Sequence, residues 1–309
     1  MANISAKDVA ALRAKTGCGM MECKKALVEA EGNMDEAIKV LRERGLQVAA
    51  KKADRIAAEG IVAIKEANGA AAMIEVNSES DFVAKNEKFQ AFVGTLLDTI
   101  LTNKPADVDA LLGCTIAGGE ATVDAALKEQ IFVIGEKLTI RRFVIVEGAV
   151  STYVHGGGNI GVIVKFDVEG VCPCNEAFKE CAHNVALQCA AMNATYATKA
   201  DVPASAIEEE KAIQLAQMAN DPKLASKPDK VKEGIVMGKM GKFYEQVCLD
   251  EQAYVKDDSV KVGAYVASVA KEVGGKIAIN SFVRYEKGEG LQKREDNLAE
   301  EVAKLAAGK

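Results

Sequence analysis

Apolar positions in residues 1–45 recur at helical spacing and are punctuated by glycine. Ser5-Ala6-Lys7-Asp8 has the form of a capping box, and Val9 and Leu12 begin an apolar stripe that Gly17 stops. A second helix is predicted from about Glu22 to Ala30, ending at Gly32. Asn33 caps a third, with Ile38 and Leu41 on its apolar face and Gly45 as its stop. A three-helix unit this small buries little area, which fits a binding module. Residues 46–58, rich in Ala and Lys, read as a helical linker.

Beyond residue 58 the period changes. Glu59-Gly60-Ile61-Val62 opens a strand, Gly69 marks a turn, Met73-Ile74-Glu75-Val76 is the returning strand, and a helix follows at Phe89. The pattern recurs after 148 − 60 = 88 residues: Glu147-Gly148-Ala149-Val150, the turn Gly156-Gly157-Gly158, the strand Val162–Phe166, and a helix near Phe178. A third strand also repeats, with Gly135-Glu-Lys-Leu-Thr-Ile140 matching Gly274-Gly-Lys-Ile-Ala-Ile279. The fold class expected is α+β: a three-helix N-terminal domain, then two halves that each combine a small sheet with covering helices. The second half carries a surplus near 203–243, where Pro203 and Pro228 open two helices around Asn220-Asp221-Pro222. This reads as an inserted helical hairpin, suited to contact with another chain or a second copy. Residues 297–307 form an amphipathic pattern on Leu298, Val302 and Leu305. The expected boundaries are 1–55, 56–146, 147–288 and 289–309.

Composition narrows the function classes. The 309 residues are 49% apolar and 27% charged, with a net charge of 39 − 45 = −6 and no basic cluster of the kind that phosphate neutralisation requires, so nucleic acid is not an expected partner. No apolar run reaches the ~20 residues of a membrane helix, and the N-terminus lacks a signal-like core, so a cytoplasmic location is expected. The eight cysteines are irregularly spaced and are expected to be reduced.

No catalytic constellation is evident, and there are only two histidines, His155 and His183. The chain is not expected to be an enzyme or to need a cofactor. Cys172, Cys174, Cys181, His183 and Cys189 carry zinc-type ligand atoms but lack paired knuckle spacing. Small buried hydrophobes are the plainer reading for Cys181 and Cys189. The Gly156–Gly158 triplet reads as a β-turn rather than a phosphate cradle.

The segment Glu75-Val-Asn-Ser-Glu-Ser-Asp-Phe-Val-Ala-Lys-Asn86 places Phe82 beside Asp81 at the entrance to a helix whose stripe is Phe89, Phe92, Val93, Leu96, Leu97 and Ile100. Phe82 lies seven residues before Phe89. Periodicity alone lets it extend the core stripe, with Asp81 as a helix-start charge; the alternative is an exposed contact. Met20 and Met21, in a glycine loop between helices, are equally open to both readings.

Lys15-Thr-Gly-Cys-Gly-Met20-Met21-Glu-Cys-Lys24-Lys-Ala-Leu27 resembles the N-terminal signature of the elongation factor Ts family, and Glu75–Lys85 resembles its second signature. Tyr153-Val-His155-Gly156, Ile160-Gly161-Val162 and Gly288-Glu-Gly290 also fit. The resemblance runs the length of the chain in family order and implies a UBA-like N-terminal domain, a duplicated core, an inserted hairpin and a C-terminal helix. It implies guanine nucleotide exchange on the GTPase elongation factor Tu, with Ser80, Asp81, Phe82 and Val83 as the stretch that displaces Mg²⁺. Leu12, Met20, Met21, Lys24 and His155 are implied as further partner contacts. Ser80 departs from the family's usual Thr but keeps the hydroxyl.

Overall fold

The computed structural model describes residues 4–221, 224 and 227–292. Contacts divide the chain into two compact units. Of the described residues, the first holds 4–65, 74–144 and 286–292, and the second holds 66–73 and those described within 145–285. The expected helix at 297–307 lies outside the described residues.

The first unit begins with α1 (Ala6–Thr16), α2 (Met20–Glu29) and α3 (Met34–Lys52). Ser5 caps α1 through a capping box with Asp8, and Gly17 ends it at φ 69°. Asn33 caps α3 by accepting from the amides of Asp35 and Glu36. Val9, Leu12, Cys18, Cys23, Ala26, Leu27, Ala37 and Leu41 form the shared core. Two expectations are corrected here. Met20 and Met21 do not sit in a loop but open α2. Gly45 does not stop α3, which runs on to Lys52. Instead Gly45 is buried against the later helix over Val123–Ile134, where a Cβ would begin 3.5 Å from that of Phe132, so the bare backbone permits close helix packing.

β1 (Glu59–Ala67), β2 (Ala70–Ser78) and β3 (Leu138–Glu147) form one sheet in the order β1-β2-β3. Asn68 and Gly69 both adopt positive φ, 53° and 74°, as a two-residue hairpin turn demands. After β2 come α4 (Asp81–Ala84), α5 (Glu87–Asn103), α6 (Val108–Gly113) and α7 (Val123–Ile134). The predicted stripe of α5 is buried in full, from Phe89 to Ile100.

The second unit repeats the plan. β4 (Ala149–His155) and β5 (Ile160–Glu169) pair antiparallel from Ala149↔Phe166 to His155↔Ile160, and β8 (Lys276–Glu286) adds the third strand, in the order β4-β5-β8. α8 (Glu176–Ala191) and α11 (Val262–Glu272) supply residues to its core, including Phe178, Cys181, Val185, Cys189, Val262 and Val266. The short pair β6 (Ala253–Tyr254) and β7 (Asp257–Lys261) precedes α11. The insertion forms the expected hairpin from α9 (Ala204–Ala219) and α10 (Asp229–Val247), with a small core of its own at Met218, Val236 and Met240. The backbone supports the duplication: Gly60 and Gly148, 88 residues apart, adopt φ 116° and 112°, which side-chain-bearing residues rarely tolerate.

The cysteines divide into two groups. Cys18, Cys23, Cys181, Cys189 and Cys248 are buried free thiols and Cys114 is a half-buried one. The expectation that all eight are reduced is corrected by a disulfide between Cys172 and Cys174. These two flank a single proline in a tight turn, which brings their sulfurs within bonding reach. The candidate zinc cluster is thereby dispersed, because two of its members are bonded to each other and Cys181 and Cys189 lie in the apolar core.

Candidate functional site

β2 ends at Ser78, and the chain must turn before α5 can begin. A run of polar side chains fixes that turn from below. Glu75 is fully buried and accepts from Arg141 Nη1 at 3.0 Å, Arg142 Nε at 2.7 Å, Asn77 Nδ2 at 3.1 Å and the Gly288 amide at 2.8 Å. Burial alone pushes the Glu75 carboxyl up, but the Gly288 amide, Asn77 and the two guanidiniums outweigh it and hold it below its ordinary value. Gly288 must be glycine for this bond: its φ is 69° and a Cβ would lie 2.3 Å from the Ala58 carbonyl oxygen. Asn77 also donates to the Glu59 carbonyl at 3.1 Å.

The next residues continue the scaffold. The Ser78 hydroxyl donates to the Ser80 carbonyl at 2.9 Å. Glu79 accepts from the Lys137 amide at 2.6 Å and pairs with Arg55 at 3.2 Å. Glu136 grips Ser80 twice, accepting from its amide at 2.9 Å and its hydroxyl at 2.6 Å. Five successive polar contacts thus hold the loop, and what they present is the single-turn helix α4.

On α4, Val83 and Ala84 face inward and are buried, whereas Phe82 is 79% exposed. The periodicity that would place Phe82 in the core fails because α4 and α5 are separate helices, with Asn86 capping α5 through the amides of Lys88 and Phe89. The stripe therefore restarts at Phe89 and does not extend back to Phe82. Asp81 is exposed and paired with Lys85 at 2.7 Å, and that hydrogen-bonded ammonium holds its carboxyl below the usual range.

Phe82 stands at the rim of a concavity of about 350 Å³ lined by Gly17, Val83, Asn86, Lys88, Val133 and Ile134. Gly17 belongs to the α1–α2 loop, so this unit brings the two signature segments to one depression. Met20 and Met21 are 55% and 63% exposed in the first turn of α2, and the exposed Lys24 follows at helical spacing from both. Leu12 differs from them: it is fully buried among the three helices and offers no surface of its own. His155 lies in the second unit at the end of β4. It is exposed, and its Nδ1 is 3.1 Å from the Tyr153 hydroxyl. Tyr153 in turn meets His183 of α8 edge-on, with ring centroids 5.8 Å apart.

Sequence reasoning missed the residues that position the loop. Glu136, Lys137, Arg141 and Arg142 lie more than 50 residues away from it and carry no local signature. One signal was present in the internal repeat, where Glu136 stands opposite Gly275 and so marks a point at which the halves diverge.

The arrangement around Phe82 combines the Asp81–Lys85 ion pair with the Ser80 hydroxyl held by Glu136. It presents one large aromatic ring and one carboxylate on a braced loop, which suits insertion into another macromolecule. No described helix is long and apolar enough to cross a membrane.

Comparison with known proteins finds relatives along nearly the whole chain. The family profile described as "Elongation factor TS" matches residues 79–289. The curated protein Elongation factor Ts of Clostridioides difficile (strain 630) is 47% identical over 308 residues, covering 98% of this chain and 99% of its own length. Elongation factor Ts of Syntrophotalea carbinolica is 42% identical over 305 residues (98% and 99%), and that of Clostridium botulinum (strain Alaska E43 / Type E3) is 44% identical over 308 residues (97% and 98%).

Proposed function

The chain belongs to the elongation factor Ts family, the nucleotide exchange factors for elongation factor Tu, and from that premise we propose that it releases GDP from the GTPase by driving Asp81 and Phe82 against the elements that hold Mg²⁺ and the phosphates. The observation that carries this reading is the 79% exposure of Phe82 on a loop pinned at every preceding residue from Glu75 to Ser80 except Val76. An aromatic ring left in water beside a carboxylate costs solvation and contributes little to folding. Its braced presentation is what an inserting wedge needs, since a floppy loop would lose binding energy to ordering.

The energetics favour a wedge over chemistry. A nucleotide bound at nanomolar strength is held by roughly −12 kcal/mol, much of it through Mg²⁺ and the surrounding backbone amides. Mg²⁺ demands near-ideal octahedral geometry, so a small displacement of its supports weakens the site disproportionately. The exchanger must bind the nucleotide-free GTPase more tightly than the loaded form. By linkage, nucleotide then weakens the exchanger by the same factor, and incoming GTP expels it. Met20, Met21 and Lys24 on α2, and His155 on β4, supply further contacts. Leu12 supports them from within the helical core.

The test is release of fluorescently labelled GDP from elongation factor Tu, measured by stopped flow with the intact chain and with Phe82→Ala. Acceleration by the wild type and its loss in the variant are expected. A wild-type chain that binds the GTPase without speeding release would identify a passive binder instead.

A further inference from the structure

The Cys172–Cys174 disulfide plays no part in the exchange reading. Cys172, Pro173 and Cys174 are all exposed, in the loop between β5 and α8. The other cysteines contrast with them: five are buried, and burial pushes Cys181 and Cys248 up to about 11 and Cys189 up to about 12. A thiol that stays protonated and shielded is inert. Among the eight cysteines, Cys172 and Cys174 alone are exposed, and they are joined to each other in one Cys-Pro-Cys turn. We propose that Cys172–Pro173–Cys174 is a thiol–disulfide exchange site that reacts with low-molecular-weight thiols and their disulfides.

The local geometry gives the two sulfurs different roles. The Cys174 amide donates to Cys172 Sγ at 3.2 Å, and the Asn175 amide donates to the Cys172 carbonyl at 2.9 Å. Charge that develops on Cys172 Sγ is thus met by a backbone donor one residue before Asn175, the cap of α8, whose positive dipole end adds to the effect. Cys172 is the better leaving group, so an incoming thiolate attacks Cys174 Sγ. The bond between the two cysteine sulfurs breaks, the electron pair goes to Cys172 Sγ, and Cys174 carries the mixed disulfide. A second external thiolate attacks the external sulfur of that mixed disulfide, leaving the Cys174 thiolate and one external disulfide. Two external thiols are oxidised, the protein disulfide is reduced by two electrons, and solvent protonates the two thiolates. Room for the reactant exists alongside: a cavity of about 550 Å³ in the same unit is lined by Pro173, Lys179, His183, Thr152 and Asn68, within the size range of small-ligand sites.

The test uses the full chain, equilibrated with ratios of reduced to oxidised glutathione, then alkylated without denaturation and digested with trypsin. The peptide Phe166–Lys179 is expected to move reversibly between a disulfide form and a doubly alkylated form, while peptides holding Cys18, Cys23, Cys181, Cys189 and Cys248 stay unalkylated. Cys172→Ser should accumulate a glutathione adduct on Cys174 that wild type does not, because Cys172 is no longer present to resolve it. Three results would overturn the proposal: a 172–174 pair that glutathione leaves unchanged in either direction, alkylation spread equally over the buried cysteines, or a wild-type adduct as abundant as that of Cys172→Ser.

Discussion

Replacing Phe82 by alanine separates presentation from packing. The ring is 79% exposed, so about one fifth of its surface is covered by the protein. Full burial of a Phe side chain contributes about 1.5–3 kcal/mol, and one fifth of that is about 0.3–0.6 kcal/mol. Phe89, seven residues on and fully buried, should lose about 3–5 kcal/mol on the same change because a cavity remains. The effect on the partner should be reversed in size. An aromatic anchor inserted in a partner commonly accounts for 2 kcal/mol or more, which corresponds to roughly a 30-fold slowing of catalysed GDP release. The assay pairs guanidinium midpoints for both variants with stopped-flow release of labelled GDP. A Phe82→Ala midpoint displaced as far as that of Phe89→Ala would return Phe82 to the core, and an unaltered release rate in a stable variant would remove it from the exchange step.

Other perturbations test the brace. Glu136→Ala deletes both bonds to Ser80 and should speed amide hydrogen exchange at Ser80 and slow GDP release, with a local cost of about 1–3 kcal/mol. Glu75→Gln removes the charge shared by Arg141 and Arg142, which remain 24% and 30% exposed. A loss of about 2–4 kcal/mol at pH 7 is expected, below that for a fully buried pair. Because the folded Glu75 carboxyl lies below its ordinary 4.5, its contribution is complete above that value and disappears as pH falls through the folded one. The gap between wild-type and Glu75→Gln midpoints should therefore shrink between pH 5 and strongly acidic conditions, about pH 2. Gly60→Ala puts a Cβ 2.1 Å from the Val76 carbonyl oxygen at φ 116°, whereas at Gly148 the nearest atom is the Lys165 Cε at 3.5 Å. The first should cost more than about 3 kcal/mol and the second about 1–2, and thermal melts of the two variants read the order directly.

Much of this architecture is legible locally. The caps at Ser5 and Asn33, the hairpin turn at Gly69, the α5 stripe and the paired prolines of the insertion each act over a few residues, and each appears in the fold as expected. The failures share a different cause. Gly45 reads as a helix stop because nothing nearby reveals Phe132, 87 residues away, against which α3 packs. Periodicity leaves Phe82 open between core and surface because a heptad spacing cannot reveal that Asn86 starts a new helix. The disulfide escaped because composition argues about compartments, whereas a Cys-Pro-Cys turn makes the bond available through geometry alone.

The duplication explains why the two unusual loops occupy the positions they do. In each half the chain leaves the second strand of a hairpin and enters a helix capped by asparagine, Asn86 or Asn175, whose side chain bonds the amide of a buried phenylalanine, Phe89 or Phe178. That connection lies outside the strands of the repeated scaffold, so it can vary without disturbing either core. In the first half Glu136 reaches up from the third strand's start and fixes a polar loop bearing Asp81 and Phe82. In the second, Gly275 takes the matching position. A Cβ there would come within 2.6 Å of the Glu169 carbonyl oxygen and 2.4 Å of the Val171 side chain, so the backbone closes tightly and the loop is short. A short loop cannot project an aromatic wedge, but it can hold two cysteines one residue apart. Exchange of Glu136 and Gly275 between halves would therefore fail in both directions, by unpinning Ser80 in one and by collision with Glu169 and Val171 in the other.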